Sequence, residues 1–313
     1  METSGRAGNL SEFALLILLG ILWGVPFALT KISLTTIPPL TLVAARVSIA
    51  AVTLWMIIAL SGYKIPNPRG WIGRLFAQGI ITCALPYTFI AYGQQSVDSA
   101  LAAILNSTAP LFVCLISVIW TRQEPVTRER LFGVTVGLSG VVLIAGASAL
   151  TGLGHAAAGQ AAILVATISS AVSVIIGRRL NAIPAEVAAA GTLTCAAVVL
   201  VPLSAFLETP WQAAPSTASI TALLINAVFA TAVGFVIYFR LIRTIDAVNT
   251  ASVGYLKPAV GVLIGCSLMG EPFTWTTAIG LAAILLGVAS IHQTESIKTS
   301  WIALKMGNRA RAV

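Results

Sequence analysis

Eight side chains stand out because their chemistry interrupts stretches that are otherwise apolar: Trp23, Arg46, Gln78, Tyr87, Asn106, Asn226, Tyr255 and Lys257. A guanidinium and an ammonium can hold a carboxylate or a phosphate, while amides and aromatic rings orient and enclose the body of a small molecule. That is binding chemistry rather than bond-breaking chemistry. The chain has no GxSxG, Walker loop, HExxH or metal-spaced cluster, and its histidines, His155 and His292, form no dyad by local spacing. No catalytic residue, metal or cofactor is expected, and the protein is not read as an enzyme. The four cysteines (Cys83, Cys114, Cys195, Cys266) lie in apolar stretches without a CxxC pair and are read as packing residues. Four of the eight also have a plain structural alternative. Arg46 and Lys257 could be held by backbone carbonyls, Trp23 could pack against a helix kink, and Asn106 could join two helices.

The elements that carry these groups follow from composition. Of 313 residues, 58% are apolar and 9% charged, and the mean hydropathy is +0.95, far from a soluble domain with about 25% charged residues. Ten apolar runs appear, near 12–31, 39–61, 71–93, 98–120, 131–149, 157–180, 184–207, 217–239, 248–269 and 273–292. Each approaches the roughly 20 residues that a helix needs to cross a bilayer. Their continuous apolarity excludes barrel strands, which alternate. The expected fold class is therefore an all-α polytopic membrane protein with ten transmembrane helices.

The net charge of +8 is no mark of nucleic-acid binding. With the N-terminus inside, every cationic residue except Lys31, Arg46 and Lys257 falls in an inner loop or a tail, which is the positive-inside pattern. Both termini are expected to be cytoplasmic, in a bacterial inner (plasma) membrane. An arginine within hydrocarbon costs at least about 2.5 kcal/mol, so Arg46, seven residues beyond Pro39, should face the bundle interior. Lys257 should lie near the midplane. The carboxylates singled out (Glu12, Asp98, Glu124, Glu208, Asp246, Glu271) sit at the ends of the runs, and none lies mid-membrane.

One pattern occurs twice. Asp98 and Asp246 are each followed twelve residues later by a proline (Pro110, Pro258), then by Glu-Pro-x-Thr-x5-Gly-x6-Gly from Glu124 and from Glu271. Such coincidence of offsets indicates an internal duplication. Five runs per copy is an odd number, so the second copy must enter from the opposite side, an inverted-topology repeat with its site between the halves. The expected division is a disordered tail at 1–11, a first repeat at 12–150, a second at 151–292 and a basic tail at 293–313. Pro26, Pro86, Pro110 and Pro258 are the expected kinks.

The stretch LLGILWGVPFALTKI in the first run, the proline-to-arginine spacing in the second and the paired EP-x-T-x5-G blocks resemble the EamA-type ten-helix branch of the drug/metabolite transporter superfamily. The likeness covers residues 12–292. It implies a transporter of small metabolites, often an exporter of amino acids, with the fifth and tenth helices peripheral and the others around a central cavity. In many relatives the residue before the ninth-helix proline is acidic or apolar, whereas here it is Lys257. Three readings follow: an exporter of aromatic or hydrophobic amino acids and similar amphipathic metabolites; a carrier of phosphorylated metabolites or organic anions; and a membrane scaffold or lipid-handling protein without a soluble substrate. The expected partners are a small-molecule substrate and the lipid bilayer, with no nucleic acid, and the protein is expected to be a monomer.

Overall fold

The computed structural model describes residues 3–62, 70–117, 127–150, 154–177, 180, 183–244 and 253–290. The described residues are overwhelmingly helical, and no strand occurs among them. Seven stretches are long and apolar enough to cross a membrane: Glu12–Ser33, Pro39–Leu60, Ile72–Gly93, Ser99–Ile116, Ala156–Gly177, Ala185–Leu207 and Thr217–Tyr238. Three shorter apolar helices, Leu131–Ile144, Leu256–Leu268 and Trp275–Ser290, fall in the fifth, ninth and tenth runs. Glu124, Asp246 and the basic tail at 293–313 lie outside the described residues.

Several spans are broken helices. The first comprises α1 (Thr3–Gly24) and α2 (Pro26–Ser33), so helix reaches back into the segment expected to be disordered. Extending a helix that an apolar span has already nucleated fixes one residue per added hydrogen bond, a much smaller cost than starting one. The second span is unbroken, α3 (Pro39–Leu60). The third consists of α4 (Ile72–Gly79), a π-helical segment Ile80–Ala84 and α5 (Leu85–Gly93). Pro86 has no N–H for the carbonyl of Thr82, and the widened turn lies directly ahead of it.

The fourth span splits into α6 (Ser99–Asn106) and α7 (Ala109–Ile116). Pro110 cannot donate to the carbonyl of Asn106, and at this break the hydroxyls of Ser107 and Thr108 turn back to the carbonyls of Ile104 and Leu105, both at 2.6 Å. Next come α8 (Arg128–Leu150), α9 (Gly154–Gly177) and α10 (Ala185–Leu207). The eighth span repeats the construction of the third, with α11 (Thr217–Ile225), a π segment Asn226–Val233 and α12 (Gly234–Thr244). Here no proline is responsible. The Thr231 hydroxyl donates to the carbonyl of Asn226, five residues back, at 2.9 Å. The last helices are α13 (Val253–Leu268), which retains Pro258 in its interior, and α14 (Trp275–Ser290).

Small residues let the helices meet closely, as membrane packing requires. A buried seam of Val47, Ala50 and Leu54 on α3 and Leu193, Ala196 and Leu200 on α10 joins the second and seventh spans. The glycines of the two repeated blocks face one another. A Cβ on Gly140 of α8 would stand 2.7 Å from the carbonyl oxygen of Gly280 on α14, and one on Gly287 would run into the backbone of Gly133 and Gly137. Equivalent ends are also tied across the molecule. The start of α3 meets Glu208 at the end of α10, and the start of α6 meets Glu271 beyond the end of α13.

A candidate substrate cavity

A cavity of about 810 Å³ lies among α1–α7, α9, α10, α12, α13 and the two π segments. Trp23, Arg46, Gln78, Tyr87, Asn106 and Lys257 all line it, so residues spread over more than 230 positions of sequence converge on one space. Among the described residues, neither α8 nor α14 contributes to its wall.

Arg46 projects from α3 about 10 Å below Pro39 by helical rise. Its Nε donates to Thr231 Oγ1 at 3.0 Å, and its guanidinium carbon lies 4.4 Å from the centre of the Tyr87 ring. Thr231 also donates to the Asn226 carbonyl at the start of the π segment, so the widened turn of the eighth span presents the hydroxyl that holds the arginine. Lys257 donates from Nζ to Asn106 Oδ1 and sits 5.4 Å above the Phe27 ring. Both cations are thus held by neutral oxygens and aromatic faces, and no Asp or Glu is among the described residues of the lining. Arg46 and Lys257 are bonded to side-chain oxygens here, whereas the structural alternative for each was a set of backbone carbonyls.

Towards α12 the wall becomes aromatic. Trp23 packs edge-on to Phe235, with ring centres 6.4 Å apart, and tilted against Tyr238 at 5.1 Å. The wall then continues through Gly177, Leu180, Ile183 and Pro184. Gln78 donates to the carbonyl of Ser173 at 3.1 Å, while its Oε1 finds no partner.

Asn226 corrects an expectation. It is fully buried and does not line the cavity; its Nδ2 bonds Thr30 Oγ1 at 3.1 Å, one layer behind the wall. The side chain is taken up in joining the π segment to α2. Tyr255 falls on α13, but its side chain lies outside the described residues. Of the kinks, Pro26 lines the cavity, whereas Pro86 and Pro258 are buried. Sequence reasoning missed Phe27, Ser173, Thr231, Phe235 and Tyr238 as wall residues. The signal for Thr231 is its five-residue spacing from Asn226, which is the period of a π turn and not of an α-helix.

The opposite end of the cavity is closed by polar contacts. Lys31 Nζ donates to the carbonyls of Gln94 (2.8 Å) and Val97 (2.9 Å). The Glu208 carboxylate accepts from the N–H groups of Leu40 (3.0 Å) and Thr41 (2.7 Å), and that of Glu271 from Ser99 (2.7 Å) and Ala100 (2.8 Å). A carboxylate at a helix start satisfies orphan N–H groups and matches the positive end of the helix dipole. Hydroxyls of Thr35, Thr36, Ser216 and Ser219 complete the seal. At the other end, Arg240 pairs with Glu12 at 3.1 Å, and Thr244 donates to the same carboxylate at 2.9 Å.

Comparison with known proteins accords with this architecture. The model of the EamA-like transporter family matches twice, over residues 10–146 and 157–292. The chain is 27% identical over 282 residues to the uncharacterized inner membrane transporter YedA of Escherichia coli (strain K12), covering 89% of this chain and 90% of YedA. It is 28% identical over 272 residues to an uncharacterized transporter of Archaeoglobus fulgidus, covering 85% of this chain and 93% of that one. A protein of known crystal structure, 20% identical, superposes with a TM-score of 0.65 over 90% of this chain and 97% of its own, a likeness of fold alone. The chain is a multi-pass inner-membrane protein and belongs to the EamA-like transporter family.

Proposed function

We propose that this protein is a secondary transporter of small amphipathic metabolites that works by alternating access, with export of amino acids or their relatives as its role. The observation that carries the reading is the cavity, in which Arg46 and Lys257 are available to an anionic head while Trp23, Phe27, Phe235 and Tyr238 surround an apolar body. In this reading ten helices cross the membrane, five per repeat and in opposite senses, with both termini inside. The end-to-end contacts support it. Asp98 and Asp246 open equivalent spans, yet the start of α6 lies beside Glu271, which follows the end of α13. The start of α3 likewise lies beside the end of α10. Paired spans of the two repeats therefore run antiparallel to each other.

The closed end carries Lys31, Glu208 and Glu271 and is the outer one in this orientation, so the molecule is in an inward-facing arrangement. Transport requires those contacts to open while the walls around Trp23 and Leu180 close. Two similar halves can exchange arrangements at little cost in energy, which is why an inverted repeat suits the task. The test is flux in proteoliposomes loaded with a labelled panel of amino acids and related metabolites. Saturable flux that Lys257→Gln abolishes supports the proposal. Absence of flux over the whole panel would favour a scaffold or lipid-handling role.

A further inference from the structure

The charge of the cavity narrows the substrate class. We infer that the preferred substrate is a small organic anion with an apolar body and no ammonium group, such as a 2-hydroxy or 2-oxo acid, rather than the amino acid of the same skeleton. This rests on the cavity being the transport site, as proposed above, and narrows that reading: of the amino acids and their relatives, the cargo is the relatives that carry a net negative charge.

The argument starts from what surrounds the two cations. Arg46 and Lys257 face the same space, and their partners among the described residues are the Thr231 hydroxyl, the Asn106 amide oxygen and the faces of Tyr87 and Phe27. All of these are neutral. The described carboxylates lie elsewhere: Glu12 pairs with Arg240, Glu208 and Glu271 hold helix starts at the closed end, and Asp98 directly precedes α6 at that same end. Glu186 adjoins the lining residue Ala185 but belongs to the first turn of α10. Because α10 runs antiparallel to the 22-residue α3, Glu186 lies about 20 Å along the bundle from the level of Arg46 by helical rise.

Two positive charges in an apolar-walled space call for a net negative guest. An isolated charge in such a medium is costly until paired, and nothing described in the wall pairs these. A zwitterion brings its carboxylate to them together with an ammonium held one carbon away. That ammonium meets two like charges and no carboxylate among the described residues of the wall, so it gives back much of what the carboxylate gains. Replacing it by a hydroxyl keeps the shape and removes the repulsion. The aromatic and aliphatic lining, in turn, favours an apolar body over a sugar.

The test uses matched pairs that differ only at that substituent, namely 3-phenyllactate against L-phenylalanine and 2-hydroxyisocaproate against L-leucine. Affinity is measured by calorimetry on the purified full chain, and flux in proteoliposomes. In each pair the hydroxy acid should bind at least about tenfold more tightly, the factor that about 1.4 kcal/mol of differential interaction gives. In Lys257→Gln and in Arg46→Gln that ratio should fall by about threefold or more, because part of the repulsion leaves with each charge. Since the ratio is read first on the unaltered protein, the result does not depend on either variant folding. Equal or tighter binding of the amino acids would overturn the inference and leave the transporter reading standing. If none of the four compounds is bound or moved, both fall.

Discussion

The two repeats supply unequal shares of the cavity. With Ser170 set against Trp23 and Pro184 against Pro39, Trp23 has a serine as its counterpart and Arg46 has Gly191. By the 148-residue spacing of Pro110 and Pro258, Asn106 corresponds to Gly254, Lys257 to Ala109 and Tyr87 to Phe235. What the halves share is mechanical: π-helical segments at matching places in the third and eighth spans, glycines that let α8 and α14 cross, and helix starts held by acidic residues. What they do not share is charge. A duplicated frame therefore encloses a single asymmetric site, in which one cation comes from each half but from different helices. In the proposed reading the frame serves movement and the residues without a counterpart serve the cargo, so the two can be altered separately.

The largest effect should come from removing an unpaired residue. Arg46→Ala takes the guanidinium from Tyr87 and Thr231. Losing one member of a desolvated charge pair with a substrate costs about 2–5 kcal/mol, so affinity should fall at least about thirtyfold. Flux and calorimetry with an anionic substrate measure this directly, and the melting temperature in detergent checks that the fold survives. A change in melting temperature with unaltered affinity would place Arg46 in the frame.

Breaking the frame at its closed end should have a smaller and different effect. Glu271→Ala removes the acceptors of the Ser99 and Ala100 N–H groups. Hydrogen bonds to a charged group contribute about 1.5–3 kcal/mol when buried, and the partial exposure of Glu271 lowers that figure. The closed arrangement should lose about 1 kcal/mol or somewhat more. The equilibrium then moves towards opening at that end, and a cysteine introduced at Thr30, 5% exposed in this arrangement, should react several times faster with a polar thiol reagent. Substrate affinity should change little. An unchanged labelling rate would mean that the contact does not hold the gate.

How much of this was legible in the sequence depends on the kind of signal. Hydrophobic runs and Arg46 facing inward follow from the cost of polar groups in lipid, which acts on each residue separately, and the duplication follows from motif offsets that need no structure to be counted. The breaks at Pro26 and Pro110 were legible for the same local reason. The π segment Asn226–Val233 was not, since no proline marks it and a threonine hydroxyl competing for a carbonyl looks like any other threonine. That is why Asn226 was expected in the wall and Thr231 was not. The parts played by Glu208 and Glu271 were hidden too, because the N–H groups they hold lie 168 and 172 residues away in the chain. A carboxylate at a span end reads as solvated until its partner helix is known.

The comparison is sharpest between two glycines that look alike in sequence. Gly140 belongs to the repeated block and meets the backbone of α14, so a methyl there would stand 2.7 Å from the Gly280 carbonyl oxygen and 3.0 Å from Ala283 Cβ. Backbone cannot turn aside, and Gly140→Ala should cost about 1–3 kcal/mol as overpacking. Gly191 is the counterpart of Arg46, yet the three atoms nearest to a methyl there all belong to the Leu75 side chain, whose Cδ1 lies 3.0 Å away and can rotate. A glycine within a helix is less stable than alanine by roughly 0.5–1 kcal/mol, which offsets the small adjustment of Leu75. Gly191→Ala should therefore shift the melting temperature by no more than a degree or two in either direction, by the scale of roughly 2–4 °C per kcal/mol for a chain this large, and leave affinity unchanged. If Gly191→Ala instead weakens substrate binding as Arg46→Ala does, then the second repeat holds a site of its own at that position, and the asymmetry between the halves is lost.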